Sequence, residues 1–209
     1  MRLLFTLFML LFSMPTWSNT VLVVGDSISA AYGLAEKDGW VKLAEAQLSQ
    51  ENAEIEFINA SISGDTTSGG LSRLPEALER FAPDLVVIEL GGNDGLRGYS
   101  LKDMRENLTE MVNSSESAGA SVLLLGMQIP TNYGAAYTRR FAEIYHKVAD
   151  ATGAALVPFF LEPIALERDY FQRDGVHPTA DAQPLLVDHV LSEIKQLLKL
   201  EEPEAATVD

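Results

Sequence analysis

Four short stretches of this chain carry residue types that can cooperate in covalent chemistry. "VGDSIS" (24–29) sets Ser27 between Asp26 and Ile28, directly after the apolar run "TVLVV" (20–24). "RDGVHP" (173–178) sets Asp174 three residues before His177, "GGNDGLRG" (91–98) presents Asn93, and "SISGDTTSGG" (61–70) contains Gly64. A serine hydroxyl is a weak nucleophile until a neighbouring base accepts its proton. Histidine suits that task near neutral pH, and a carboxylate three residues away in a turn can hold one ring nitrogen while the other faces the hydroxyl. An Asn amide N–H, or a backbone N–H beside a glycine that has no Cβ in the way, can stabilise an oxyanion.

Each stretch also has a plainer reading. Asp26 or Ser27 can cap a helix, and the glycine-bracketed nucleophile elbow is absent because position 29 is serine. Asp174 or Thr179 can start a helix. Asp174 and His177, joined by Asp181, are metal-ligand types, but no second histidine lies near them in the sequence. Asn-Asp-Gly forms turns, and His146 and His189 fall inside predicted helices, where satisfied or solvent-facing histidines are common. What favours chemistry is the order in which the four stretches recur along the chain.

That order follows the elements. Short apolar runs at 20–24, 54–60, 84–90, 121–127 and 154–160 are rich in Val, Leu and Ile without strict alternation, as in strands buried on both faces. Helical patterns fall between and after them, at 39–50, 70–81, 100–118, 134–152 and 179–199. This alternation implies right-handed crossovers and a three-layer α/β/α, flavodoxin-like domain with a five-stranded parallel sheet, spanning 19–200. In such sheets, ligands bind beyond the carboxyl ends of the strands. Ser27, Gly64, Asn93 and the "QIPTNYG" loop (128–134) all follow strands, and the loop after the fifth leads to Asp174 and His177.

The composition narrows the function classes. Residues 1–18 combine Arg2, an apolar run and a small-residue stretch ending in Ser18, the layout of a secretory signal peptide too short for a comfortable membrane span. The formal charge is −15, and loss of residues 1–18 removes one arginine and no acid, giving −16. Such a field repels nucleic acid and anionic membrane surfaces. With no cysteine, the chain has no disulfide, thiolate nucleophile or cysteine-held metal. The end, "EEPEAATVD" (201–209), reads as a solvated acidic tail.

The order Ser27, Gly64, Asn93, Asp174-x-x-His177 resembles the SGNH (GDSL-type) hydrolase superfamily over nearly the whole chain beyond Thr20. "GDSISAAYGL", "ELGGNDGLRG", "NYG" and "DGVHPTADAQP" are similar to its secreted bacterial thioesterase I, arylesterase and lysophospholipase group. The first block departs from the usual pattern at Ile28, where the family has Leu, an exchange that leaves the chemistry intact. The resemblance implies a serine hydrolase acting on acyl-thioesters, aryl esters or lysophospholipids. Ser27 would be the nucleophile, His177 the base and Asp174 its orienting acid. The Ser27 and Gly64 backbone N–H groups and the Asn93 side chain would form the oxyanion hole. Ser27 is expected to open a helix whose exposed N–H groups favour the oxyanion.

No metal or cofactor is required by this chemistry. Leu96, Tyr99, Ile129, Pro130 and Tyr133 are candidates for an acyl groove. The expected partner is a small-molecule ester or thioester, met by a periplasmic protein favoured as a monomer. Two other readings are a carbohydrate O-deacetylase and a non-catalytic flavodoxin-like binding module. A binder has no need to keep Ser27, Asn93, Asp174 and His177 together.

Overall fold

The computed structural model describes residues 19–51 and 54–200. The expected leader (1–18) and acidic tail (201–209) lie outside the described residues. The five apolar runs form strands β1 (Asn19–Gly25), β2 (Ile55–Asn59), β3 (Leu85–Glu89), β4 (Ser121–Leu125) and β5 (Ala155–Val157). They pair in parallel in the order β2-β1-β3-β4-β5. The central β3 is buried along its whole length, which explains why its sequence does not alternate.

The helices are α1 (Trp40–Gln50), α2 (Thr67–Phe81), α3 (Gly92–Leu96), α4 (Leu101–Ser117), α5 (Ala135–Thr152) and α6 (Gln183–Leu197). α1 packs on α6, while α2, α4 and α5 pack in sequence against one another, giving the expected layers on the two faces of the sheet. The core includes Leu22, Leu85, Ile88, Leu108, Phe141 and Leu186, none more than 1% exposed. Burial of such side chains contributes about 1.5–3 kcal/mol each against an entropy cost of similar total size.

Several boundaries differ from the sequence pattern for local reasons. α2 begins three residues before the predicted position because the Thr66 hydroxyl caps it, accepting from the Gly69 N–H at 3.3 Å. Its apolar periodicity begins only later. β5 stops at Val157 because Pro158 follows and has no N–H for the ladder. α3 was not predicted, since five residues containing two glycines carry no helical period.

A larger difference concerns Ser27. Residues 27–33 form successive turns rather than a helix, and Ala31 has φ 55°, in the left-handed region. Helical propagation is broken there, so no helix dipole stands behind Ser27. Gly39 explains the packing: a Cβ on it would lie 2.6 Å from that of Ala31.

The strand order reverses direction at β1. From it the chain goes first to β2 on one side and then to β3 on the other, opening a crevice beyond the β1 and β3 carboxyl ends. Ser27 follows β1 and Asn93 follows β3, so both lie at this crevice.

Candidate active site

Ser27 and His177 are 150 residues apart in sequence, yet Ser27 Oγ lies 2.9 Å from His177 Nε2. The other imidazole nitrogen, Nδ1, is 2.8 Å from Asp174 Oδ2. The remaining Asp174 oxygen accepts the backbone N–H groups of Val176 at 2.9 Å and His177 at 3.0 Å. These bonds close the turn that carries the imidazole. The His177 hydrogen bond first, and then those two N–H groups, pull the Asp174 carboxyl down to about 2. The carboxylate therefore stays charged through the neutral range. A neutral His177 that donates Nδ1–H to Asp174 has Nε2 free to accept from the Ser27 hydroxyl.

The loop bearing His177 is tied to the loop after Ser27. Gln172 donates from Nε2 to the carbonyls of Tyr32 at 2.7 Å and Pro178 at 3.0 Å. Arg168 gathers the carbonyls of Phe171, Gln172 and Arg173 at 2.8, 2.8 and 3.1 Å. The Tyr32 ring lies against the imidazole, with centroids 4.4 Å apart.

Gly64 reaches the same crevice through a different set of ties. Arg73 of α2 binds Asp65 Oδ2 through Nε and Nη2, both at 2.9 Å, and also reaches the carbonyls of Ala60 and Gly25. The loop after β2 is thereby stapled to the end of β1. Gly64 has φ 79°, a conformation glycine adopts without strain. Neither the Ser27 nor the Gly64 backbone N–H donates to an acceptor among the described residues, which leaves both available to a ligand.

Asn93 sits in α3, and α3 is held at several points. Asp94 accepts the Thr67 N–H at 3.0 Å and its hydroxyl at 2.6 Å, anchoring α3 to the start of α2. Tyr137 donates to the Gly95 carbonyl at 3.1 Å, and Tyr145 to the Leu90 carbonyl at 2.9 Å. The Asn93 amide donates from Nδ2 to Asp26 Oδ2 at 2.9 Å. Asp26 Oδ1 accepts the Ile28 N–H at 3.0 Å, so one carboxylate positions both the Ser27 turn and the Asn93 amide.

Asp26 is only 3% exposed, and burial pushes its carboxyl up to about 6, against the lowering effect of Ile28, Asn93 and His177. Below it, Glu89 is fully buried and pushed further up, first by burial and then by the Asp26 charge. Burial raises both carboxyls, and the negative charge of either one opposes ionisation of the other.

Ser27, Gly64, Asn93 and His177 line one cleft of about 360 Å³, with Ile28, Leu96, Met127 and Val176 as its apolar wall. That volume lies within the range of small-molecule sites. A hollow of about 610 Å³ between α2 and α4, lined by Pro75, Leu78 and Asn113 among others, contains no histidine. Size alone therefore does not identify the site.

Of the five residues expected to form an acyl groove, Leu96 lines this cleft. Tyr99 borders a separate polar hollow with Asp94, Ser100 and Asp103. Ile129 is buried, with its side chain against Gly95, while Pro130 is exposed. Tyr133 donates its hydroxyl to the Leu96 carbonyl at 3.1 Å and so braces the wall from outside. The direction each side chain takes from its loop separates them, and loop sequences carry no period from which to read it. Tyr32, Glu89 and Arg97 are the site neighbours that pattern reasoning did not single out, while Asp26 entered only as a possible helix cap. Glu89 alone left a trace, as an acid inside the apolar run 84–90.

Comparison with known proteins gives the family of the chain. The model of the GDSL-like lipase/acylhydrolase family matches residues 23–184. Esterase TesA of Pseudomonas aeruginosa is 50% identical over 181 residues, covering 87% of this chain and 90% of its own. The crystal structure of TesA superposes with a TM-score of 0.84 over 86% of this chain and 99% of that one, at 50% identity. An arylesterase of Vibrio mimicus is 41% identical over 177 residues, covering 85% and 88% of the two chains. Thioesterase 1/protease 1/lysophospholipase L1 of Escherichia coli K12 is 38% identical over 181 residues, covering 87% and 86%. A match of this length and identity is one of membership: this protein belongs to the GDSL-like lipase/acylhydrolase family.

Proposed function

We propose that Ser27, His177 and Asp174 carry the chemistry of this chain, a serine ester hydrolase, through a covalent acyl-enzyme. The observation that supports this most directly is the unbroken chain of contacts, 2.9 Å from Ser27 Oγ to His177 Nε2 and 2.8 Å from Nδ1 to Asp174. Ser27 Oγ attacks the acyl carbonyl carbon while His177 Nε2 takes the hydroxyl proton. The carbonyl oxygen becomes an oxyanion, which accepts from the Ser27 and Gly64 backbone N–H groups and from Asn93 Nδ2. His177 then delivers its proton to the leaving alcohol or thiol as the C–O or C–S bond breaks. Water repeats the sequence on the acyl-enzyme, releasing the carboxylic acid and restoring Ser27.

The substrates proposed are aryl esters, acyl-thioesters and single-chain phospholipids, the classes named for the relatives. Ile28, Leu96, Met127 and Val176 offer an apolar wall for the acyl group. Tyr99, Ile129, Pro130 and Tyr133 would then act on the acyl chain only beyond or behind that wall. Export is proposed as well, with residues 1–18 as a cleaved leader and the mature protein acting in the periplasm. Among the described residues no helix is long and apolar enough to cross a membrane.

The test is hydrolysis of p-nitrophenyl esters from acetyl to palmitoyl, a long-chain acyl-thioester and a lysophospholipid, with Ser27→Ala as the blank. Turnover that extends to the longer acyl groups and is lost in the variant, by roughly a millionfold if triad members act as a unit, is expected. Wild-type-like turnover by Ser27→Ala overturns the assignment. Turnover confined to acetyl overturns the proposed substrate range.

A further inference from the structure

We infer that Arg97 is a positioning residue for the proposed oxyanion hole, holding the Gly64 loop and the Asn93 amide in one register. The inference rests on the roles proposed above for Ser27, Gly64 and Asn93. Arg97 directly follows α3, and its backbone N–H donates to the Asn93 carbonyl at 3.1 Å, so its Cα is fixed one helical turn from Asn93. Its Nη2 donates to the Gly64 carbonyl at 2.9 Å and lies 3.3 Å from Asn93 Oδ1. One guanidinium nitrogen thus bridges the loop after β2 and the helix after β3, which no ladder hydrogen bond joins because β1 lies between those strands.

The bridge settles a question that an Asn side chain always poses, namely which end of the amide points where. Asp26 Oδ2 accepts one Nδ2 proton at 2.9 Å, and Arg97 donates to Oδ1. Turning the amide over would set its oxygen against the Asp26 carboxylate and its NH2 against the guanidinium. Both contacts would become repulsive. Held from both ends, the amide has its second Nδ2 proton left for the cleft. A cationic donor at Oδ1 also draws electron density from the amide and strengthens that N–H as a donor.

Gly64 depends on the same group. A Cβ built on it would meet only Arg97 Nη2, at 3.4 Å, with no other atom within 4 Å. Away from the Arg73–Asp65 staple, the guanidinium is therefore what Gly64 rests against. Arg97 is exposed, so its contacts add little to folding stability. Its effect falls on orientation, where a small misplacement is costly to rate.

The experiment is a double-mutant cycle with an uncharged ester, p-nitrophenyl butyrate. kcat and KM are measured for Arg97→Ala, Asn93→Ala and both together, with Arg97→Lys alongside and thermal unfolding as the check on folding. The expected result for Arg97→Ala is a fall in kcat of roughly 10- to 100-fold, less than for loss of a donor outright, with KM within about twofold. In the Asn93→Ala background the same substitution changes kcat by less than about threefold, because nothing remains for it to orient. Arg97→Lys, which keeps a cationic donor, recovers part of the loss. An equal factor in both backgrounds, a change confined to KM, or no change overturns the inference while Asn93 keeps its proposed role. Full turnover by Asn93→Ala alone overturns both.

Discussion

Glu89, at the end of β3 and 0% exposed, accepts a hydrogen bond from Ser29 Oγ at 2.8 Å, two residues beyond Ser27. The Asp26 N–H also reaches Glu89 Oε2, at 3.3 Å, and Trp40 Nε1 donates to Ser29 Oγ at 3.1 Å. The turn presenting Ser27 is therefore seated on a buried carboxyl group. Gly25 is compatible with this seat because a Cβ there would approach Ser29 and Glu89 to within 2.9 Å. Glu89 Oε1 is buried without a hydrogen-bond partner, which is bearable for a neutral acid and costly for a charged one.

Burial and the neighbouring Asp26 charge both favour the protonated form of Glu89, and the amide of glutamine mimics that form. Glu89→Gln should keep the two acceptor contacts, fold normally and retain most of the wild-type kcat. Glu89→Ala leaves the Ser29 hydroxyl and the Asp26 N–H without their acceptor and opens a cavity, at a cost of about 2–5 kcal/mol. Urea denaturation and steady-state kinetics of the two variants decide the matter. Equal loss of stability in both would mean that Glu89 is held as a carboxylate.

The buried acids also set the pH dependence of stability. Asp26 is raised from 3.8 to about 6 by burial, so between those values the folded state holds a proton that the unfolded chain has released. Stability must then fall as pH rises from about 4 to about 6, and Glu89, also raised by burial, acts in the same direction. Asp174, lowered to about 2, works oppositely: its contribution is present above about 4 and is lost as pH falls towards 2. With its side chain 41% exposed, water screens this term and keeps it small. The Tm should be higher at pH 5 than at pH 8, with only a small further drop towards pH 3 from Asp174. A Tm that rises steadily from pH 5 to pH 8 contradicts this.

Activity runs the other way. A histidine base must be neutral to accept the Ser27 proton, and protonation of Asp26 near 6 weakens its hold on Asn93. Both effects lower kcat/KM as pH falls from 8 to 5. A flat profile over that range would rule against His177 as the base.

Asn93→Ala should reduce kcat by roughly a hundred- to a thousandfold, the cost of losing one oxyanion donor. It should also destabilise by about 1–3 kcal/mol, since Asp26 loses a partner while remaining buried. Activity measured beside an unfolding curve separates the two effects. Wild-type turnover with reduced stability would reduce Asn93 to a structural partner of Asp26.

Gly91 joins β3 to α3 with φ 113°, and a Cβ there would collide with the Tyr145 hydroxyl and the Met104 methyl group. Gly91→Ala should therefore cost about 1–3 kcal/mol through strain and overpacking. It should also lower kcat, because α3 carries Asn93. Unfolding midpoints and kcat together check this, and an unperturbed protein would show that the junction can relax.

Much of this protein is legible along the chain because the signals are local. Runs such as "DLVVIEL" read as strands since burial on both faces removes polar residues, and Asp174-x-x-His177 reads as a turn since three residues can bring those side chains together. That Ser27, Gly64 and Asn93 follow the first three strands, and His177 the fifth, is read off the α/β alternation. What the chain does not display is the partner of each side chain across the sheet. Asp26 meets Asn93 across 67 residues, Ser29 meets Glu89 across 60, and Arg97 meets Gly64 across 33. The same holds for the cleft wall, where Leu96 and Met127 face the site and Tyr99, Ile129, Pro130 and Tyr133 do not. Sequence pattern records which residues must leave water. Only the packed sheet, by bringing the ends of β1 and β3 side by side, decides which of them meet.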